Sequence, residues 1–303
     1  MNSDRFPSRI RICEMSPRDG IQSLRAEVPT AVKLELIRRL TDAGLDYIES
    51  ASFVSPKWVP QMADAAEVCA GLERRPGITH AVLAPNLKGL ERAHAAGMTE
   101  VGVFSAASQT FSQKNTNCSI EESLQRAETL MAEAQRLGIR GRGYISCIAV
   151  CPYEGETDPA TVARLARALV GMGCYEIALG ETIGAATPLQ ARRVVQAVAE
   201  AVPGTPLGLH FHDTRGQALA NILACLDLGV ASIDGSVGGI GGCPYAPGAA
   251  GNVATEDLVY MLQGLGIDTG IDLDALCTAG RYICEAIGRP VGSRVSQALA
   301  CAA

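Results

Sequence analysis

The chain has 303 residues, of which 48% are hydrophobic and 19% are charged, and its formal net charge is −6. This composition is typical of a compact α/β enzyme and excludes extensive disorder. The negative balance, with no block of lysines or arginines, argues against nucleic acid as a principal partner.

Short strand-like runs recur along the chain, and a segment with helical character follows each of them. The strand-like runs cover residues 9–14, 47–50, 80–84, 100–104, 143–149, 176–179, 207–212 and 232–237. Helices are predicted at residues 30–43, 119–137, 187–202, 255–265 and 274–287. This regular alternation predicts a parallel sheet with helices outside it.

Eight such units can close into a (β/α)8 TIM barrel, which carries its active site at the carboxyl ends of the strands. We therefore expect one catalytic barrel domain over residues 1–303, with an extra C-terminal helical segment at 266–303 packed on the barrel. The alternative is a doubly wound open sheet, which normally has five or six strands and a glycine-rich first turn. The first turn here, Ser16–Gly20, contains one glycine, which favours the barrel.

Polar side chains follow the predicted strands at the ends where a barrel places its active site. They are Arg18, Asp19, Gln22, Glu49, Asn86, Tyr144, Ser146, Glu181, Thr182, His210, His212 and Cys243. Taken singly, Asn86 and Thr182 would be read as cap or turn residues. Their joint occurrence with the others indicates an active site.

His210 and His212 are two of the four histidines in the sequence, and they stand two apart at the end of a predicted strand. Residues at this spacing share one face of a strand. With Asp19 they would offer two imidazoles and a carboxylate, a set that suits Mg²⁺ or Mn²⁺ with positions open for substrate oxygens. A closed zinc site would need four ligands, often thiolates, and no cysteine spacing provides them. The alternative is a pair of structural histidines.

Residues 238–248 are rich in glycine and contain Cys243, which predicts a lid over the active site. The Cys243 thiol could donate a proton or act as a nucleophile, and both roles stay open. Other cysteines, including Cys147 and Cys151, are interpreted as small buried hydrophobic residues. His80 and His94 match no constellation and receive no role.

The cysteines also bear on the compartment. The sequence has eleven, none in a Cys-x-x-Cys pair, and its polar first eleven residues carry no apolar signal-peptide core. We therefore expect reduced thiols and a cytoplasmic location. No run reaches the ~18 apolar residues that a membrane span needs. Cys301 is interpreted either as an exposed cysteine without a functional role or as a thiol switch.

Six sequence strings together closely resemble the 3-hydroxy-3-methylglutaryl-CoA lyases, over residues 10–296. The strings are SPRDG at 16–20, SFVSPKWVPQ at 52–61, NCSIEES at 117–123, CPYEG at 151–155, HFHDT at 210–214 and GGCPYA at 241–246. An Arg-Asp-Gly turn with His-x-His alone would indicate only the wider metal-dependent barrel family, which includes isopropylmalate and homocitrate synthases. Those synthases usually carry a long C-terminal extension, which this sequence lacks.

The resemblance implies a divalent-metal-dependent retro-Claisen cleavage of an acyl-CoA thioester to acetyl-CoA and acetoacetate, a step of leucine degradation and ketone body synthesis. It also implies a homodimer. By resemblance, the metal ligands are Asp19, His210, His212 and Asn252.

Roles for the other site residues also follow from the resemblance. Arg18 would stabilise the enolate, with Glu49 and Gln22 orienting it, and Cys243 would protonate the enolate carbon. Asp19 and His210 are both candidates for the base. The residues expected to bind substrate are Gln22, Tyr144, Glu181 and Thr182, with Tyr144 lining the acyl pocket.

The chain departs from the family pattern at two places. Glu181 stands where the family has aspartate, and the extra methylene moves the carboxylate by ~1.5 Å, when a misplacement of about 1 Å can cost about a hundredfold in rate. Residues 288–290, Gly-Arg-Pro, stand where more polar residues would be expected to help hold CoA, which leaves Arg289 and Arg294 as candidates for that role.

Three alternatives therefore stay open. The first is a lyase of the same family for citramalyl-CoA or a longer 3-substituted hydroxyglutaryl-CoA. The second is an acyl-CoA hydrolase that uses Cys243 as a nucleophile with a histidine base. The third is a non-catalytic acyl-CoA-binding protein. Such a protein would be expected to have lost some of Arg18, Asp19, His210, His212 and Cys243, and none of them is missing.

Overall fold

Eight parallel strands close into a barrel within the described part of a computed structural model, which comprises residues 6–24, 26–242 and 251–301. The barrel strands are β1 (Arg11–Glu14), β2 (Tyr47–Ser52), β3 (Thr79–Leu83), β4 (Glu100–Ala106), β5 (Arg140–Ser146), β8 (Glu176–Glu181), β9 (Leu207–Phe211) and β10 (Val230–Gly235). They neighbour one another in the order β1-β10-β9-β8-β5-β4-β3-β2. A small antiparallel hairpin of β6 (Val150–Cys151) and β7 (Gly155–Glu156) follows β5.

Helices cover the outside of the barrel. They are α1 (Thr30–Asp42), α2 (Ala65–Gly71), α3 (Leu87–Ala95), α4 (Gln109–Thr116), α5 (Ile120–Arg136), α6 (Pro159–Gly171), α7 (Pro188–Ala201), α8 (Ala218–Leu223), α9 (Thr255–Gly264), α10 (Leu273–Ala286) and α11 (Arg294–Ala300). The longest of these, α5, begins with a capping box in which Ser119 and Glu122 satisfy each other's backbone N–H groups. No helix in the described part of the chain has the length and apolarity that a bilayer crossing needs.

The two faces of the barrel strands differ in chemistry, as β8 illustrates. Its six residues are all buried, and successive side chains point to opposite faces of the sheet. Ile177 and Leu179 belong to the hydrophobic core beneath the helices. Glu176, on the opposite face, bonds Arg142 from β5 inside the barrel. The interior therefore carries buried charges, while the outer face supplies most of the apolar core.

The predicted barrel is confirmed, and the open-sheet alternative is wrong because β2 and β10, at the two ends of the chain of paired strands, both pair with β1 and close the sheet. Strand bounds differ from the predicted ones by up to three residues. The largest difference is at β5, predicted at 143–149 and observed at Arg140–Ser146. Its first half carries Arg140 and Arg142, which do not resemble an apolar strand start. Arg142 is buried all the same, because the barrel interior pairs it with carboxylates.

The C-terminal segment packs on the first and last units of the barrel. The Asp272 N–H donates to the Ala43 carbonyl at 2.9 Å, where α1 ends. Asp257 on α9 accepts bonds from the Ser293 hydroxyl at 2.7 Å and the Val295 N–H at 2.9 Å, at the start of α11. Between these contacts, the Gly292 N–H donates to the Gly238 carbonyl at 2.8 Å. The segment thus supports the loop that follows β10.

Candidate active site

A five-residue π-helical turn, Ser16–Gly20, follows β1 and carries Arg18 and Asp19. The backbone N–H groups of Asp19 and Gly20 donate to the Met15 carbonyl at 2.8 and 3.1 Å. A side chain at Gly20 would come within 2.8 Å of Ile240 and Ser236, so only glycine lets the turn approach the loop after β10. The Arg-Asp-Gly sequence therefore places a cation and a carboxylate at the carboxyl end of the barrel.

Asp19, His210 and His212 form a group whose candidate ligand atoms all lie within 4.8 Å of one another. Asp19 Oδ2 is 3.6 Å from His210 Nε2. The two imidazole rings lie with their centroids 5.4 Å apart. Asn252 joins the group, because its amide nitrogen donates to Asp19 Oδ2 at 2.9 Å.

Two buried polar atoms in this group have no hydrogen-bond partner among the described residues. They are His212 Nδ1 and the Asn252 side-chain oxygen. A buried polar atom without a partner costs about 1–3 kcal/mol. A divalent cation would satisfy both atoms, and imidazole, carboxylate and amide groups are donors that such ions take. The residues present thus fit a metal ion.

Arg18 lies beside this group and is held by two carboxylates. Its Nε and Nη2 atoms donate to Glu49, and its Nη1 atom donates to Asp19. Gln22 donates to Asp19 Oδ1 at 2.8 Å. The Tyr144 hydroxyl donates to Glu49 Oε1 at 3.3 Å. Arg18 is therefore a buried cation fixed in position, with an aromatic hydroxyl close to its partner.

The ionisation of the group follows from burial and from its neighbours. Burial opposes the charge on Asp19, but the positive charge of Arg18, together with the two histidines and the hydrogen bond from Asn252, outweighs it and holds the pKa of Asp19 well below its usual value. Burial, aided by the nearby His210, lowers the pKa of His212 to about 4. Burial also opposes the charge on His210, but the hydrogen bond to Asp234 and the negative charges of Asp234 and Asp19 together raise the pKa of that imidazole. At neutral pH His212 is therefore neutral, the form that binds metal.

Two buried residues behind the site, Asp234 and Arg142, were not predicted from the sequence. Asp234 Oδ2 lies 3.0 Å from His210 Nδ1. Arg142 bonds Asp234 through two nitrogens and also donates to the Tyr144 hydroxyl at 2.7 Å. The available signals were the position of Asp234 within a predicted strand and that of Arg142, two residues before Tyr144 and therefore on the same face of β5.

Several predicted site residues bond backbone groups instead of the Asp19 group. Asn86 caps α3 by accepting from the Gly89 N–H at 3.0 Å, which agrees with its interpretation as a cap. Thr182 accepts from the Cys147 N–H at 2.8 Å. Glu181 accepts from the N–H groups of Ala185 and Ala186 at 3.2 and 3.3 Å.

The orientation of Glu181 follows from the register of its strand. Glu181 pairs with Phe211, whereas Gly180 pairs with His210. It therefore shares a face with Ile177 and Leu179, toward the helices. Its carboxylate thus lies at the loop that precedes α7.

Four cysteines and two arginines were also named in the sequence analysis. Cys243 lies outside the described residues. Cys147 and Cys151 are buried, as expected, and Cys301 is exposed. Arg289 and Arg294 are exposed near the C-terminal end.

Comparison with known proteins agrees with the resemblance in the sequence strings. The chain is 55% identical over 293 residues to the mitochondrial hydroxymethylglutaryl-CoA lyase of Bos taurus, covering 97% of this chain and 90% of that protein. It is 55% identical over 294 residues to the 3-hydroxy-3-isohexenylglutaryl-CoA/hydroxy-methylglutaryl-CoA lyase of Pseudomonas aeruginosa, covering 97% and 98% of the two chains.

A solved structure shows the same agreement in three dimensions. The crystal structure of hydroxymethylglutaryl-CoA lyase from Pseudomonas aeruginosa superposes with a TM-score of 0.96 at 54% identity, covering 99% of this chain and 100% of that one. The HMGL-like family model matches residues 9–283. The chain belongs to the HMGL-like family.

Proposed function

We propose that this chain is a divalent-metal-dependent carbon–carbon lyase that cleaves 3-hydroxy-3-methylglutaryl-CoA to acetyl-CoA and acetoacetate. The observation that carries the proposal is the buried group of Asp19, His210 and His212 with the Arg18 cation beside it. The names of the relatives supply the substrate.

Asp19, His210, His212 and Asn252 would hold the ion, which we propose to be Mg²⁺ or Mn²⁺. When bound, the ion supplies positive charge that lowers the pKa of the substrate's tertiary hydroxyl. Asp19 and His210 are the candidates to accept the proton of this hydroxyl, and His210 could do so only while its Nε2 lone pair is not bound to the ion. Loss of the proton lets the new ketone of acetoacetate form as the carbon–carbon bond breaks.

Arg18 acts on the other fragment. The electron pair of the broken bond moves to the thioester carbonyl oxygen, which becomes an enolate oxygen. Arg18 would stabilise that charge from a fixed position, because Glu49 holds it through two of its nitrogens. A donor fixed before the reaction costs no reorganisation during it, and one such donor is typically worth about a hundred- to a thousandfold in rate. Gln22 and Tyr144 support Asp19 and Glu49 in turn.

Cys243 completes the reaction in this proposal, because its thiol gives a proton to the enolate carbon and acetyl-CoA results. Residues on either side of the segment 243–250 lie at the site. A Cβ on Gly242 would be 3.1 Å from Ser23, just after the turn that carries Arg18. A Cβ on Gly251, which precedes Asn252, would be 2.5 Å from Gly241.

Further residues contribute to substrate binding in this proposal. Glu181 and Thr182 contribute to substrate binding by holding the loops at the carboxyl ends of β8 and β5. Arg289 and Arg294 are candidates to contact the CoA phosphates. The catalytic unit comprises residues 1–303, with 266–303 as an extension packed on the barrel, and acts as a homodimer. A cytoplasmic, reducing location suits the cysteines, nine of which are buried thiols within the described ranges.

The decisive test gives the purified protein a panel of thioesters with Mg²⁺ or Mn²⁺ and identifies the keto-acid product. The panel contains 3-hydroxy-3-methylglutaryl-CoA, citramalyl-CoA and a longer-branched 3-hydroxyglutaryl-CoA. We expect acetoacetate from the first, loss of activity in EDTA, and recovery when Mg²⁺ is restored. Absence of acetoacetate would overturn the substrate, and absence of cleavage of every thioester would overturn the reaction. CoA release that persists in EDTA would favour a cysteine hydrolase.

A further inference from the structure

Asp234 and His210 make a buried contact between two neighbouring barrel strands. Asp234 lies on β10 and is 1% exposed, and its Oδ2 atom is 3.0 Å from His210 Nδ1. The other ring nitrogen, Nε2, faces Asp19 Oδ2 at 3.6 Å. We propose that Asp234 is a positioning residue, which keeps the hydrogen of His210 on Nδ1 and thereby presents the Nε2 lone pair to the metal ion. This inference rests on the metal centre of the proposed function.

Arg142 determines where the hydrogen on His210 must be. It donates to Asp234 Oδ1 at 2.7 Å and to Oδ2 at 3.1 Å. A guanidinium has donors only, so both oxygens of Asp234 are held as acceptors. The contact to His210 Nδ1 is therefore a hydrogen bond only if Nδ1 carries the hydrogen. In a neutral imidazole the other nitrogen then has the lone pair.

Asp234 cannot easily turn away, because the Arg142 guanidinium is itself held on several sides. Its Nε donates to Glu176 at 2.6 Å, and its Nη1 also donates to the Tyr144 hydroxyl at 2.7 Å. A Cβ on Gly208 would lie 2.5 Å from Arg142 Nη2, so the guanidinium fills the space that this glycine leaves. The imidazole orientation is thus fixed from behind, as carboxylates fix metal-bound histidines in general.

The test replaces Asp234 by its isosteric amide and measures binding of Mn²⁺ alone, by electron paramagnetic resonance of the free ion. In Asp234→Asn the amide NH2 must either face Arg142 or donate to His210 Nδ1, which moves the ring hydrogen to Nε2. We expect the Mn²⁺ dissociation constant to rise about 10–100-fold. Glu176→Gln is the matched control, because Glu176 bonds the same arginine without a contact to His210. Glu176→Gln and Asp234→Asn should lower the melting temperature to a similar extent. Glu176→Gln should change the Mn²⁺ dissociation constant less than about threefold.

An Asp234→Asn protein that binds Mn²⁺ within threefold of Glu176→Gln would overturn this inference alone. Failure of the unmodified protein to bind Mn²⁺ would overturn the metal centre, and this inference with it. Should Asp234→Asn not fold, nitrogen-15 NMR of the unmodified protein saturated with Mg²⁺ decides. The inference requires a directly bonded proton on His210 Nδ1, and a proton on Nε2 instead would refute it.

Discussion

Glu256 is a fully buried carboxylate behind the loop that follows β10, and its ionisation should control how stability depends on pH. It lies in the first turn of α9, and both of its oxygens accept from the Gly238 N–H at 2.9 Å. Burial raises the pKa of Glu256 to about 8, and the nearby carboxylate of Glu14 adds to the effect. The folded protein therefore holds a proton at Glu256 at a pH where an unfolded chain has released it.

The sign of the effect follows from proton counts. In the unfolded chain Glu256 ionises near its ordinary pKa of 4.5, whereas in the folded protein it ionises near 8. Between these values the folded state binds more protons, so the free energy of unfolding falls as pH rises, by at most about 1.4 kcal/mol per pH unit. From pH 5.5 to 7.5 the loss through this one group is about 2–3 kcal/mol. The loss is absent below pH 4.5 and complete above pH 8.

Glu256→Gln removes the titration and leaves an amide oxygen to accept from Gly238. Its melting temperature relative to the unmodified protein should therefore rise between pH 5.5 and 7.5, by about 4–6 °C. Glu35→Gln is the control, because a hydrogen bond from Arg38 lowers the pKa of the partly exposed Glu35 to about 2. Glu35 is ionised in both states over this range, so its variant should differ from the unmodified protein by a constant amount.

The measurement is thermal unfolding by circular dichroism at half-unit pH steps and constant ionic strength. If the Glu256→Gln and unmodified curves run parallel over this range, Glu256 ionises with an ordinary pKa and the reasoning is wrong. A difference that shrinks with rising pH would reverse the sign and refute it as well.

Three further predictions concern the site and its support. Arg18→Lys keeps the positive charge but loses the two guanidinium nitrogens that bond Glu49. In steady-state assays kcat should therefore fall about a hundred- to a thousandfold. An effect below tenfold would contradict the role of Arg18 at the enolate. Among the described residues Glu181 hydrogen-bonds loop backbone, so Glu181→Asp, which shortens the side chain, should lower the melting temperature by about 2–4 °C while kcat/KM changes less than tenfold; a hundredfold loss would indicate substrate contact. Gly280→Ala would place Cβ 2.2 Å from a Glu256 oxygen and should lower the melting temperature, whereas the control Gly264→Ala, with nothing within 4 Å, should not.

Local sequence signals were sufficient for the architecture and for the centre of the candidate site. The barrel strands show as separate short runs, and their regular alternation with helices leaves few topologies. Arg18 and Asp19 are adjacent in sequence, and His210 and His212 are two apart, so each pair could be recognised without the fold. What brings the pairs together is the closing of the barrel, which alternation alone predicts.

The groups that orient the site could not be predicted in this way. Arg142 and Asp234 are 92 positions apart, and nothing near either residue in the sequence indicates the other. Glu181 shows a second limit, because the direction of its side chain depends on a single-residue register of β8 against β9. A shift of one residue would have turned it toward the barrel interior.

Charged side chains inside the barrel are connected by hydrogen bonds in one series. This series gives a structural reason for a polar barrel interior in place of one packed with apolar side chains. Arg11, at the amino end of β1, bonds Glu176 at 2.6 Å, and Glu176 bonds Arg142. From Arg142 the series continues through Asp234 to His210 at the carboxyl end. Buried ion pairs of this kind seldom add net stability, because desolvation offsets their attraction. They do resist rearrangement, since breaking one leaves an uncompensated charge. The series therefore links both ends of the barrel and holds the candidate metal ligand His210 in a fixed orientation.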